Sequence, residues 1–177
     1  MKQKYPFFLS VILLVFFAAC QGKQKPAREE AKPVITVSIP PQKFFVEQIA
    51  GDYFRVNILL PPGASPADFE PTPRQVQDLS GSEFYFFIGH LGFEKTWVRK
   101  FSDAAPGVSF VSCSQGIDLL RGDEDHLPEE NESHNHRHGT DPHIWTSPEN
   151  VKTIAKTICS ALSEKHPDGK EKFEKNR

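Results

Sequence analysis

The sequence predicts an α/β fold, built on a parallel four-stranded sheet with helices on both faces. Three observations carry that expectation. From Val34 to His166, short runs of β-branched and aromatic residues alternate with segments of helical period. This is the pattern of strands joined by crossover helices. The run Phe84–Ile88 is apolar without interruption, as a strand covered on both faces should be. Thr72-Pro73 and Ser147-Pro148 each place a hydroxyl residue before proline, the N-cap and N1 signature of a helix start.

The elements follow in order. Val34–Ile39 is a β-branched first strand, stopped by Pro40-Pro41. A helix is expected from Gln42 to Ala50, with Phe45, Val46 and Ile49 on one face and Gly51 as its stop. Phe54–Leu60 is the second strand, ended by Pro61-Pro62-Gly63. The helix opened by Thr72 turns Val76 and Leu79 inward and closes at Gly81. After the third strand, Phe84–Ile88, the residues Phe93, Trp97 and Phe101 stand four apart on one helix face. Val108–Cys113 is the fourth strand. The last clear helix starts at Ser147 and carries the stripe Val151, Ile154, Ala155, Ile158 and Leu162, ending near His166-Pro167. The final run KHPDGKEKFEKNR mixes charge signs and reads as a solvated helix face.

With 177 residues, of which 38% are hydrophobic and fifteen are Phe, the chain can build one ordinary core. A net charge of -2 without a basic patch gives no footing for nucleic acid. No HExxH stretch and no suitably spaced carboxylate pair is present, so no metallohydrolase is expected. Lys2 and Lys4 precede an apolar run from Phe7 to Ala19, too short for an ordinary membrane span. That run ends in Ala18-Ala19-Cys20, which resembles a bacterial lipobox. Residues 1–20 are therefore expected to be a lipoprotein signal peptide, with Cys20 lipidated. Residues 21–33 are polar and read as a disordered tether. Export permits a disulfide between Cys113 and Cys159, but both lie in apolar patterns and read equally as buried thiols.

Parallel α/β sheets bind ligands outside the carboxyl ends of their strands. Three segments occupy that rim: Pro61–Pro73, Gly89–Glu94, and the stretch from Gly122 to Trp145. The last reads GDEDHLPEENESHNHRHGTDPHIW and holds five of the seven histidines. Imidazole suits zinc and similar borderline metals. Residues 122–140 read as an acidic, histidine-rich capture loop, with His126, His134, His136 and His138 as auxiliary ligands. A solvated polar loop is the plain alternative. His143 stands outside the low-complexity run, between Pro142 and Ile144, and reads as the ordered ligand.

Those rim segments carry a resemblance. Pro62-Gly-Ala-Ser-Pro-Ala-Asp-Phe-Glu-Pro-Thr-Pro73 resembles the first metal-site motif of the periplasmic zinc- and manganese-binding proteins of metal ABC importers. Asp141-Pro-His-Ile-Trp145 resembles their second motif. The acidic histidine-rich insertion before it is typical of the zinc-type members. The likeness runs from about Val34 to Arg177.

The resemblance implies two α/β lobes joined by one long helix, with the metal clamped between them. It implies capture of zinc, or manganese, outside the membrane and delivery to an importer permease, with no reaction catalysed. The protein would be an exported monomer, lipid-anchored to a bacterial membrane and facing the periplasm or exterior.

Two departures stand out. Where the family pattern GxxPH-x-[FY]EPTP has its first histidine ligand, this chain has Ala67. His90, at the end of the third strand, is the expected substitute beside His143. The second departure is length. The chain stops at Arg177, near the expected start of the connecting helix. Residues 34–165 would then be the first lobe, and residues 166–177 a truncated lead into that helix. The second lobe would lie in a longer product or on a separate chain. The alternative function is a metal buffer or chaperone acting mainly through the histidine loop.

Overall fold

A computed structural model of the chain describes residues 32–120 and 140–177. The expectations for Cys20, for the signal peptide and most of the tether, and for His126, His134, His136 and His138 lie outside these residues.

Four strands form one parallel sheet: β1 (Val34–Val37), β2 (Arg55–Ile58), β3 (Phe84–Phe87) and β4 (Ser109–Ser112). Their spatial order is β2-β1-β3-β4. Register is set by pairs such as Ile35 with Val56, Ile35 with Phe84, and Tyr85 with Phe110. The strands are shorter than the apolar runs that predict them. The ladder nonetheless continues into those runs through Leu59 N–H to Val37 O at 2.8 Å and Cys113 N–H to Phe87 O at 2.7 Å.

The expected helices are present: α1 (Pro40–Ala50), α2 (Pro73–Ser80), α3 (Gly92–Ala104), α4 (Pro148–Lys165) and a short α5 (Lys170–Asn176). Helix α1 begins two residues before the expected Gln42. Pro40 and Pro41 fall in its first turn, where a missing N–H costs nothing. Thr72 Oγ1 accepts from Gln75 N–H at 3.3 Å, and Ser147 Oγ from Asn150 N–H at 3.5 Å, so both expected caps form.

Helices cover both faces, for a topological reason. The β1-α1-β2 and β3-α3-β4 units step in opposite directions along the sheet. With right-handed crossovers, their helices must lie on opposite sides. Accordingly α1 packs with α4 and α5, while α2 packs with α3. Between the layers, Phe84, Tyr85 and Phe86 of β3 are buried with Ile35, Val37, Val46, Ile154, Ile158 and Leu162. Each such side chain contributes about 1.5–3 kcal/mol relative to exposure.

Two sequence expectations are resolved. Cys113 and Cys159 are both buried free thiols, so the disulfide does not form. The C-terminal run is not wholly solvated. Phe173 is 0% exposed, its ring 5.5 Å from Tyr53 in edge-to-face contact. It lies so close to Gly169 that a Cβ there would stand 2.4 Å from the ring. One aromatic among charges anchors α5, and the periodic reading of so short a segment missed it.

Candidate functional site

The direction of α4 locates the rim. Its last residue, Lys165, donates Nζ–H to Glu83 O at 3.1 Å, and His166 Nε2 lies 2.6 Å from Glu83 Oε2. Glu83 precedes β3, so this is the amino edge of the sheet. Helix α4 has 18 residues and spans about 27 Å at 1.5 Å per residue. Its start, and Asp141–Ser147 before it, therefore lie at the carboxyl rim with His90.

His143 is held there by its own motif. Asp141 Oδ1 accepts from His143 N–H at 2.9 Å and faces His143 Nδ1 at 2.7 Å. A carboxylate only accepts, so Nδ1 carries the proton and Nε2 keeps its lone pair. The His143 carbonyl accepts from Thr146 Oγ1 at 2.7 Å. The next residues form a single 3-10 turn, Ile144–Thr146, rather than the helix itself. Ile144 is buried beneath that turn. The His143 side chain is 60% exposed, and its ring sits 5.2 Å from Trp145. Backbone and side-chain hydrogen bonds from His143 hold the Asp141 carboxyl below the usual carboxylate range. The pair thus presents an oriented imidazole backed by an ionised acid, the arrangement that fixes metal-binding histidines.

His90 occupies the turn between β3 and α3 and is half-buried. Desolvation, then the charge of Lys95, holds its pKa below the ordinary histidine value. That favours the neutral, coordinating form. The first motif leans on the same turn. Phe93 N–H donates to Pro66 O at 3.1 Å, and the Phe69 and Phe93 rings meet edge to face at 5.4 Å. Gly92 touches the backbone of Ala67, whose carbonyl oxygen would be 2.3 Å from a Cβ there. The residue in the family's first ligand position therefore lies against the helix start two residues from His90.

His90 and His143 both lie at this carboxyl rim, His90 in the turn that leads into α3 and His143 in the segment that leads into α4. Among the described residues, no cluster of three or more His, Cys, Asp or Glu side chains is arranged to hold a metal ion.

Sequence reading passed over the polar layer beneath the rim. Ser38, Gln42 and Glu94 are buried. Ser38 Oγ lies 2.7 Å from the Tyr85 hydroxyl. Gln42 Oε1 accepts from Ser38 N–H at 3.1 Å and Ile39 N–H at 3.3 Å, and its Nε2–H points to Cys113 Sγ at 3.3 Å. Burial pushes the Cys113 thiol up to about 12, so it stays protonated and is a poor metal ligand. One signal was available. Gln42 and Glu94 each stand three residues after a helix N-cap, as in a capping box, but the caps themselves, Ile39 and Leu91, are apolar.

The high-affinity zinc uptake system protein ZnuA of Bacillus subtilis is 31% identical over 177 residues, covering 96% of this chain and 54% of that protein. The manganese ABC transporter substrate-binding lipoprotein PsaA of Streptococcus mitis is 33% identical, over 96% of this chain and 52% of its own length. A crystal structure of ZnuA matches 82% of this chain and 51% of its own with a TM-score of 0.70 and 39% identity. Zn(II)-bound AdcA from Streptococcus pneumoniae matches 82% of this chain at a TM-score of 0.66 and 28% identity. The chain spans about half the length of the curated ZnuA and PsaA relatives it matches. A family model described as zinc-uptake complex component A periplasmic, ZnuA, matches residues 35–177, and the chain belongs to that family.

Proposed function

We propose that this chain supplies the first lobe of an extracytoplasmic zinc-capture protein, which delivers its ion to the permease of an ABC importer and catalyses no reaction. His143 is the principal ligand, through Nε2. His90 replaces the ligand that the family places where Ala67 stands. His126, His134, His136 and His138 concentrate zinc near the rim, and Cys20 carries a lipid anchor. Residues 34–165 form the lobe, with α5 leading toward a connecting helix. Nitrogen-rich coordination favours zinc over the harder manganese.

The observation that supports this reading most is the Asp141–His143 pair. Among the described residues the ring is bonded through Nδ1 alone, which leaves Nε2 oriented and without a hydrogen-bond partner on an exposed side chain. Zinc titration of the whole chain against a chromophoric chelator tests it. One equivalent bound more tightly than the rest, and lost in His143→Ala, is the expected result. Several weak equivalents unchanged by His143→Ala would instead identify a loop buffer.

A further inference from the structure

We propose that Glu94 is the positioning residue for His90, its buried carboxylate holding the turn that carries the imidazole. This rests on the reading of His90 as a ligand.

Glu94 is 2% exposed and sits in the first turn of α3. Its Oε1 accepts from Ile88 N–H at 2.9 Å, and its Oε2 from Gly89 N–H at 2.7 Å and Leu91 N–H at 3.3 Å. Of the four consecutive amides from Ile88 to Leu91, one carboxylate takes all but that of His90. The ligand is bracketed on both sides by the same clamp.

The surroundings leave this turn little freedom. Gly89 has a φ of +98°, and a Cβ there would stand 3.0 Å from Ser112 Oγ and 3.1 Å from Ser114 Oγ. On the far side, Gly92 abuts the Ala67 backbone. Only glycine suits the first position, since φ is left-handed and the space is filled.

Capping alone does not explain a carboxylate here. Helix α1 solves the same problem with a neutral amide, Gln42, which binds Ser38 N–H and Ile39 N–H. Glu94 does it with a group that is costly to bury. Desolvation raises its pKa despite the hydrogen bonds from Ser38 and the three backbone amides that lower it. Charge-assisted bonds are shorter and about twice as strong as neutral ones. The stiffer clamp is placed where a side chain must be aimed, and a pre-oriented ligand loses less freedom on binding.

A double-mutant cycle with zinc alone as the probe tests this. Affinity of the first equivalent is measured for the full chain, Glu94→Gln, His90→Ala and the double variant, with far-UV circular dichroism confirming that each folds. Glu94→Gln keeps the shape but presents an amide donor to at least one of the three N–H groups. Expected is about a tenfold loss in the His90 background and no further loss in the His90→Ala background. The cobalt(II) visible spectrum of Glu94→Gln should then shift from that of the parent chain toward that of His90→Ala. Equal losses in both backgrounds, or none, would overturn the positioning role and leave His90 a ligand. Wild-type affinity in His90→Ala would remove the ligand reading and the proposal together. If Glu94→Gln does not fold, Glu94→Asp, which keeps the charge but is one methylene too short to hold all three amides, is read by the same criteria.

Discussion

The two edges of the sheet each hold a histidine beside a carboxylate, and the two are built oppositely. At the amino edge, His166 Nε2 faces Glu83 Oε2 at 2.6 Å and Nδ1 faces the Tyr53 hydroxyl at 3.3 Å. Tyr53 in turn donates to Asp168 Oδ2 at 2.6 Å. The ring is edge-on to Tyr53 and Phe54 and only 17% exposed. Both nitrogens are committed, so this imidazole fastens α4 to the sheet. At the carboxyl rim, His143 bonds Asp141 through Nδ1, and among the described residues Nε2 makes no hydrogen bond. An imidazole with both nitrogens bonded can only fasten, whereas one that keeps a lone pair is able to serve as a ligand.

Exchanging the damage between the edges is the strongest way to break that contrast. His143→Ala should lower first-equivalent zinc affinity by about 100-fold or more, since a ligand outweighs the 10–100-fold typical of outer-shell groups. Its thermal midpoint should stay near that of the parent chain, because the side chain is exposed. His166→Ala should do the reverse. Leaving Glu83 without its imidazole partner at a half-buried site costs about 1–3 kcal/mol, while zinc affinity stays within a factor of two. Calorimetry and the chelator titration read the two effects separately. A His166→Ala chain that folds with unchanged stability but loses zinc would place the site at the wrong edge.

The contrast also shows what the sequence made legible. The strands were readable because β-branched and aromatic runs alternate with proline-opened helices. His143 was singled out because Pro142 and Ile144 set it apart from the polar loop, and the zinc titration decides its role. His166 carried no such mark, since its partners Glu83 and Tyr53 are 83 and 113 residues away. Ser38 was missed for the same reason, since Tyr85 is 47 residues away; Gln42 and Glu94 bond amides within six residues and were missed because their N-caps, Ile39 and Leu91, are apolar. A polar residue near a strand end looks like surface until the opposite strand arrives to bury it. Phe173 was hidden among charges because its partner Tyr53 lies across the fold. Local periodicity reports which face of an element is apolar. It does not report which polar atoms tertiary structure will bring together.

A milder test separates orientation from coordination at His143. Asp141 bonds both the backbone and the ring of that residue. Asp141→Ala removes the bond that fixes the tautomer and rotamer while leaving the ligand in place. Zinc affinity should fall by about tenfold, less than for His143→Ala, with little change in stability at so exposed a site. Combined with His143→Ala it should add almost nothing. Independent losses would mean that Asp141 itself reaches the metal.

The smallest expected effect concerns acid. Zinc binds neutral imidazole, so protons and metal compete for His90 as pH falls. Desolvation first, and the Lys95 charge second, depress the His90 pKa. A depressed pKa keeps the neutral form to lower pH, so His90 should release zinc later in an acid titration than an ordinary histidine. Lys95→Gln removes the second cause and moves the pKa back upward. It also removes a cation that repels the incoming ion. Zinc carries two charges and the proton one, so Lys95→Gln should bind zinc more tightly at every pH, with an advantage that narrows on acidification as proton competition at His90 sets in earlier. Because Lys95 acts across solvent, the effect should be small and should shrink as salt is added. An advantage that stays constant from neutral pH into acid would show that Lys95 only repels the metal and that His90 does not titrate with its release.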